Sequence, residues 1–212
     1  MAKAIIFDLD GVLIDSKEIH FNSLNLALSK VDKKFIISKA EQESTFEGLT
    51  TKSKLSILTQ TRGLDAGLYE KIWLDKQRYS AIMFSSISRD EELISFFKLI
   101  KFNGIKIAVA SNSIRTTLDT CLKSLGVFDY ADYTLSNEDV AIPKPNPEIY
   151  NKCLSKFELQ PTDAVIFEDS PIGIAAAKSS GAYLVKVVSR SDLTFDKITE
   201  SIEYLQNGEK IV

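Results

Sequence analysis

The chain has 212 residues, 44% apolar, 26% charged and 9% aromatic, the balance of an ordinary globular protein and not of a disordered or collagen-like one. Its net charge of −3 argues against a general nucleic-acid binder, which is usually basic. No apolar run approaches the roughly 20 residues that span a membrane, and the first apolar stretch, Ala4-Ile5-Ile6-Phe7, is too short for a signal peptide, so a cytoplasmic protein is expected.

Ala4-Ile5-Ile6-Phe7 ends at Asp8 and is the first of three short apolar runs that stop in polar residues. Runs of this length, rich in Ile and Val, predict strands buried on both faces. Residues 16–85 then look mostly helical: Leu24, Ala27, Leu28 and Val31 share a stripe, and Thr51 to Thr61 and Leu68 to Met83 give others, with Trp73 expected in their core. This stretch is too long for a simple crossover and predicts an inserted helical cap, residues 16–85, within an α/β core of residues 1–15 and 86–212. The insert carries 11 Lys and Arg against 8 Asp and Glu, a net of +3, which leaves −6 for the rest. A basic insert beside an acidic core suits an anionic substrate held against a metal site, although ordinary surface variation gives the same imbalance.

Beyond the insert, Leu93, Phe96, Phe97 and Ile100 keep helical spacing before the stop signal Asn103-Gly104. Ile105 to Ala110 is the second strand, ending at Ser111-Asn112. Leu118, Cys121, Leu122 and Leu125 form a helix stopped by Gly126, and Pro147 to Phe157 form another with Ile149 and Cys153 on its stripe. Cys121 and Cys153 cannot build a disulfide framework and read as buried free thiols. Ala164-Val165-Ile166-Phe167 is the third apolar strand, ending at Glu168-Asp169. Ser170 as N-cap and Pro171 at N1 open a helix that Gly181 ends. A strand from Tyr183 to Val188 and a helix from about Leu193 to Leu205 complete the pattern. Strands alternating with helices predict right-handed βαβ units, a parallel sheet sandwiched by helices, and ligands beyond the carboxyl ends of the strands.

Those ends carry the chemistry. Asp8 and Asp10 of Asp8-Leu9-Asp10-Gly11 can face one crevice if the chain is still extended there, and Gly11 permits a turn. With Glu168 and Asp169 they make an all-oxygen site, which suits Mg²⁺ and not zinc; four acids this close repel one another without a cation. Ser111-Asn112-Ser113 follows a buried strand and offers hydroxyl and N–H groups to a phosphate oxygen, or else a plain helix cap. Lys144 stands in Ile142-Pro143-Lys144-Pro145-Asn146-Pro147, where three prolines stiffen the loop and aim one cation; a solvated loop lysine is the alternative.

Together, Asp8-Leu9-Asp10-Gly11-Val12-Leu13, Ser111-Asn112, Lys144-Pro145 and Glu168-Asp169-Ser170 resemble the four motifs of the haloacid dehalogenase (HAD) superfamily over nearly the whole chain. Asp15-Ser16, Glu18, His20-Phe21 and Glu47-Gly48-Leu49 resemble its β-phosphoglucomutase-like branch with a small helical cap. The resemblance implies a HAD-like Rossmannoid core with that cap and assigns roles. Asp8 would be the nucleophile that forms an aspartyl-phosphate, and Asp10 the general acid and base. Mg²⁺ would be held by the Asp8 side chain, the Asp10 carbonyl and Asp169, with Glu168 close by or in the outer shell. Ser111, the Asn112 amide and Lys144 would bind the phosphoryl oxygens. His20, Gly48, Lys52 and Lys76 would lie toward substrate, His20 with either a structural or a substrate-facing role. The cap would open and close on hinges near Asp15-Ser16 and Phe84 to Ser88.

These assignments imply a Mg²⁺-dependent phosphatase of a small phosphorylated metabolite such as a sugar phosphate, with no nucleic-acid or membrane partner, as a monomer or weak dimer. A phosphomutase is the alternative; mutases of the branch carry an Arg shortly after the cap glycine, where this chain has Thr50, Thr51 and Lys52, and Lys52 offers a point charge instead of a bidentate fork. A non-catalytic binding module is opposed by the complete set Asp8, Asp10, Lys144 and Asp169, and dehalogenation by the second acid and the metal-suited pair.

Overall fold

The computed structural model describes residues 3–46 and 49–207. It falls into two compact units: one holds the chain up to Ser16 and from Ile87 onward, the other is Lys17–Ser86. Strand β1 (Ala4–Phe7) precedes helices α1 (Lys17–Ser29), α2 (Lys39–Glu41), α3 (Thr51–Arg62) and α4 (Tyr69–Ser85) of the inserted unit. The core unit resumes with α5 (Glu91–Phe102), β2 (Lys106–Ala110), α6 (Arg115–Leu125), β3 (Tyr133–Leu135) and α7 (Glu148–Lys156). It closes with β4 (Ala164–Glu168), α8 (Pro171–Ser180), β5 (Tyr183–Lys186) and α9 (Phe195–Asn207).

The five strands form one parallel sheet in the order β3-β2-β1-β4-β5. Every residue of β1 is fully buried, as a central strand covered on both faces requires. Ala4, Ile6, Ala108, Ala110 and Ile166 pack on one side against Ile149, Tyr150 and Cys153 of α7 and Ala176 and Ala177 of α8. On the other, the Phe7 ring stacks between Phe97 of α5 and Phe167 of β4, at 5.3 and 5.1 Å. Burial of this kind contributes about 1.5–3 kcal/mol per large apolar side chain. Ser170 caps α8 by accepting the Gly173 N–H, and Gly181 ends it in the left-handed conformation. Cys121 and Cys153 are buried and unbridged, and burial pushes the Cys153 thiol up to about 12, so it carries no thiolate at neutral pH.

The register decides where the site forms. Phe7 lies opposite Val109 on one side and Phe167 on the other, so β1, β2 and β4 end side by side. The chain leaves β1 toward β2 and β3, then returns to the far side for β4 and β5. The crevice at that reversal lies beyond the carboxyl end of β1.

Two expectations change. The edge strand β3 has three residues and is only partly buried, too short for its pattern to register. Trp73 is 40% exposed and not core: the buried positions of α4 are Ile72, Lys76, Ser80 and Phe84, a stripe at i+4 spacing that leaves Trp73 about 100° to one side. The core of the inserted unit is instead Leu24, Ala27, Leu28, Phe35, Leu55, Leu58 and Ile72.

Edge strand β3 is pinned by Asp132. Its carboxylate accepts from Lys101 Nζ at 2.7 Å, from Lys106 Nζ at 3.3 Å and from the Ile107 N–H at 2.9 Å. Burial opposes its ionisation, yet these three donors hold its carboxyl below the ordinary aspartate value. A depressed carboxyl stabilises the fold above its unfolded pKa and loses that contribution as the pH falls through the folded value. Asp132→Asn should therefore cost about 1 kcal/mol at pH 7, after allowance for solvent screening. The difference from wild type should close as chemical denaturation is repeated at pH values falling below the usual carboxylate range. A cost unchanged at low pH would mean that these contacts do not depend on the charge.

Candidate active site

Asp8 follows β1 directly and is buried, its N–H bonded to the Phe167 carbonyl at 3.0 Å. Its Oδ1 accepts from Lys144 Nζ at 2.6 Å. The same ammonium donates to Glu168 Oε1 at 2.7 Å and to the Ala110 carbonyl at 2.8 Å, so all three of its N–H donors are used. One lysine thus ties together the ends of β1, β2 and β4. The prolines around it leave the loop stiff, and its flanks are held by other side chains. Asn112 exchanges two bonds with the Lys144 backbone, Nδ2 to the carbonyl at 3.2 Å and Oδ1 from the N–H at 3.1 Å. Glu148 accepts the N–H groups of Ala141 and Ile142, each at 2.9 Å.

Glu168 is fully buried and receives five donors. Its Oε1 takes Lys144 Nζ and the Tyr150 hydroxyl, both at 2.7 Å. Its Oε2 takes the Asp169 N–H at 3.0 Å and the Ser170 N–H and hydroxyl at 3.3 Å each. Gly11 has φ +86°, and a Cβ there would stand 2.0 Å from Asp169 Oδ2, so both the turn and the acid beside it require glycine.

Asp10 turns to two hydroxyls: Ser16 donates to Oδ1 and Ser113 to Oδ2, the latter at 2.7 Å. Ser111 is buried and accepts the Ser113 N–H at 2.9 Å. These residues form a turn ahead of α6, whose N-cap is Ile114 without a side-chain bond, so the hydroxyls are not spent on capping.

Burial pushes the Asp8 carboxyl well above its usual range; Lys144 opposes this, and Glu168 and Asp10 add to it. Lys144 goes up, its desolvation outweighed by Asp8 and Glu168, and stays an ammonium. Oxygens of Asp8, Glu168 and Asp169 lie within 4.8 Å of one another. With Lys144 these three carboxylates keep two surplus negative charges, which one divalent cation offsets. Hard oxygen donors gathered in this way could hold a metal ion.

The expected core residues Asp8, Lys144, Glu168 and Asp169 therefore meet, and Asp10, Ser111 and Asn112 lie in the same unit. The Asn112 side chain is committed to the Lys144 loop, which leaves its backbone N–H for any ligand. In the inserted unit, His20 Nδ1 and Lys76 Nζ stand 3.3 Å apart, with Lys76 buried, while Lys52 is exposed on α3. Gly48 lies outside the described residues. Sequence reasoning missed Tyr150, six residues beyond Lys144 in a helix read only for its apolar stripe. It also gave Ser16 and Ser113 no part in holding Asp10.

A family model described as haloacid dehalogenase-like hydrolase matches residues 5–187, and the chain belongs to that family. It is similar to a phosphorylated carbohydrates phosphatase of Thermotoga maritima, 27% identical over 84% of this chain and 82% of that one. It is similar also to a β-phosphoglucomutase of Bacillus subtilis, 28% identical over 99% of both. Among solved structures, a β-phosphoglucomutase from Clostridium difficile shares the fold with a TM-score of 0.75 at 24% identity, over 98% of this chain and all of that one. The chain is an enzyme of a family whose members here are phosphatases and phosphomutases. No helix among its described residues is long and apolar enough to cross a membrane.

Proposed function

We propose that this chain is a phosphatase that hydrolyses a small phosphorylated metabolite, in particular a sugar phosphate, through an aspartyl-phosphate on Asp8. The observation that carries the reading is the buried Asp8–Lys144 contact at the end of the central strand. Two of the three Lys144 N–H groups are anchored on Ala110 and Glu168, and the third points at the Asp8 carboxylate. As that carboxylate attacks phosphorus and becomes a neutral acyl oxygen, the third N–H is positioned to follow the charge onto the phosphoryl oxygens. Asp10 protonates the departing ester oxygen, then takes a proton from the water that cleaves the acyl-phosphate. Serine hydroxyls both donate and accept, so Ser16 and Ser113 hold Asp10 in either protonation state. Ser111 and the Asn112 N–H supply donors to the remaining oxygens.

Asp8, Asp169 and the Asp10 carbonyl would hold Mg²⁺, with Glu168 behind them. The bound ion supplies charge neutralisation that lets one anion approach another. A phosphomutase is the second reading, favoured by the β-phosphoglucomutase relative that spans 99% of the chain and opposed by the exposed Lys52 where the branch's mutases carry an arginine.

The test is phosphate release from a panel of esters, β-glucose 1-phosphate included, with Mg²⁺ or with EDTA. Release should need the metal, fall to background in EDTA and return when Mg²⁺ is restored. Mg²⁺ at about 100 times its Kd should also stabilise the substrate-free protein by about 2.7 kcal/mol. Conversion of β-glucose 1-phosphate to its isomer without net phosphate release would replace the phosphatase by the mutase. Release undiminished by EDTA would remove the metal from the reading.

A further inference from the structure

Tyr150 belongs to none of the motif loops, yet it is the largest of the fully buried side chains among the described residues. Its surroundings explain why a tyrosine, and not a phenylalanine, is buried there. The hydroxyl donates to Glu168 Oε1 at 2.7 Å, the oxygen that also receives Lys144 Nζ. The ring lies under the Lys144 ammonium, 4.8 Å from Nζ to the centroid. Tyr150 thus touches the lysine through its π face and the lysine's anchor through its hydroxyl. Glu168 has no slack to take up the loss of either: Oε2 is bound by Asp169 and Ser170, and a Cβ on Gly173 would lie 1.8 Å from Oε1, so that side is filled by the carboxylate itself. Burial and the facing Glu168 push the phenol well above its ordinary range, so it remains a donor throughout the working pH range.

We propose that Tyr150 is a positioning residue for phosphoryl transfer, which fixes Glu168 Oε1 and thereby aims the Lys144 N–H at Asp8 and at the phosphoryl group it would carry. The proposal rests on the phosphatase reading for its kinetic half only. The aiming of Lys144 is a property of the substrate-free protein.

Tyr150→Phe keeps the ring and the packing and removes one hydroxyl. The variant should fold, with kcat lower by about 10–100-fold and KM nearly unchanged. Calorimetric titration of the substrate-free variant with Mg²⁺ should give the wild-type Kd, because the hydroxyl bonds the Glu168 oxygen that faces Lys144. The Lys144 ammonium signal, followed by NMR in protein with ¹⁵N-labelled lysine and assigned with Lys144→Arg, should shift and exchange faster with water. An unchanged ammonium signal would overturn the proposal whatever the kinetics, since the hydroxyl would then not hold the lysine. A loss of Mg²⁺ affinity matching the loss of kcat would also overturn it, because the tyrosine would then act on the metal site. Should the wild-type protein release no phosphate, the phosphatase reading fails, and the ammonium signal still decides the Tyr150–Glu168–Lys144 link.

Discussion

Asp8→Asn should lower kcat by about 10⁴-fold or more, since in the proposed mechanism Asp8 is the group that takes the phosphoryl group. The amide keeps the shape and leaves Lys144 with Glu168 and Ala110, so the fold should survive. Its stability should move in the opposite direction from its activity. Burial holds the Asp8 carboxyl above its usual range, with Lys144 opposing and Glu168 and Asp10 adding to the push. A carboxyl whose folded pKa exceeds its unfolded value weakens the fold at every pH above the unfolded value. Metal-free Asp8→Asn should therefore melt no lower than metal-free wild type at pH 7. Its advantage should vanish on acidification below the usual carboxylate range, where both proteins are uncharged at this position. Melting curves in EDTA across that range make the measurement. An inactive variant that melts well below wild type would show that the Lys144 pair outweighs burial at Asp8.

Lys144→Met should be the most destabilising single change in the crevice. It leaves Glu168 fully buried and Asp8 nearly so without their common cation, and removing one partner of a buried pair costs about 3–5 kcal/mol. On the proposed mechanism, loss of the same donor from the phosphoryl oxygens should lower kcat by about 10²–10³-fold. Denaturant unfolding of both proteins with and without Mg²⁺ separates the two effects. Adding Glu168→Gln should restore part of the stability and none of the rate, because the amide relieves the buried charge but supplies no cation. A Lys144→Met protein within about 1 kcal/mol of wild type would mean that the two carboxylates find other partners or take up protons at no cost.

How much of this could be read from the residues depends on the kind of signal each one carried. Strands β1, β2 and β4 were legible because full burial on both faces leaves continuous apolar runs that end abruptly in Asp8, Ser111 and Glu168. Helices α6 and α8 were legible through Gly126 and Gly181, which close them in the left-handed conformation. The three-residue β3 was not, because an edge strand this short has no room for a pattern. Trp73 was misplaced because size and aromaticity suggest burial, whereas helix phase decides it. The oxygen-rich chemistry of the site followed from residue types, but the meeting of Lys144 with Asp8 and Glu168 required the motif resemblance, since no local pattern spans that distance. Tyr150 was missed for a related reason: its ring blends with the apolar stripe of α7, and its hydroxyl gains meaning only against the Glu168 carboxylate at the end of β4.

The Lys144 ammonium joins side chains 136 and 24 residues away along the chain. During synthesis Asp8 emerges first and stays without its cation while 136 further residues of the 212-residue chain are made. Lys144 then waits for Glu168, which arrives only with β4. A nascent chain halted before that strand holds Asp8 without Glu168 or the β4 neighbour of its own strand. The crevice is therefore completed late, when the sheet has its central strand flanked on both sides.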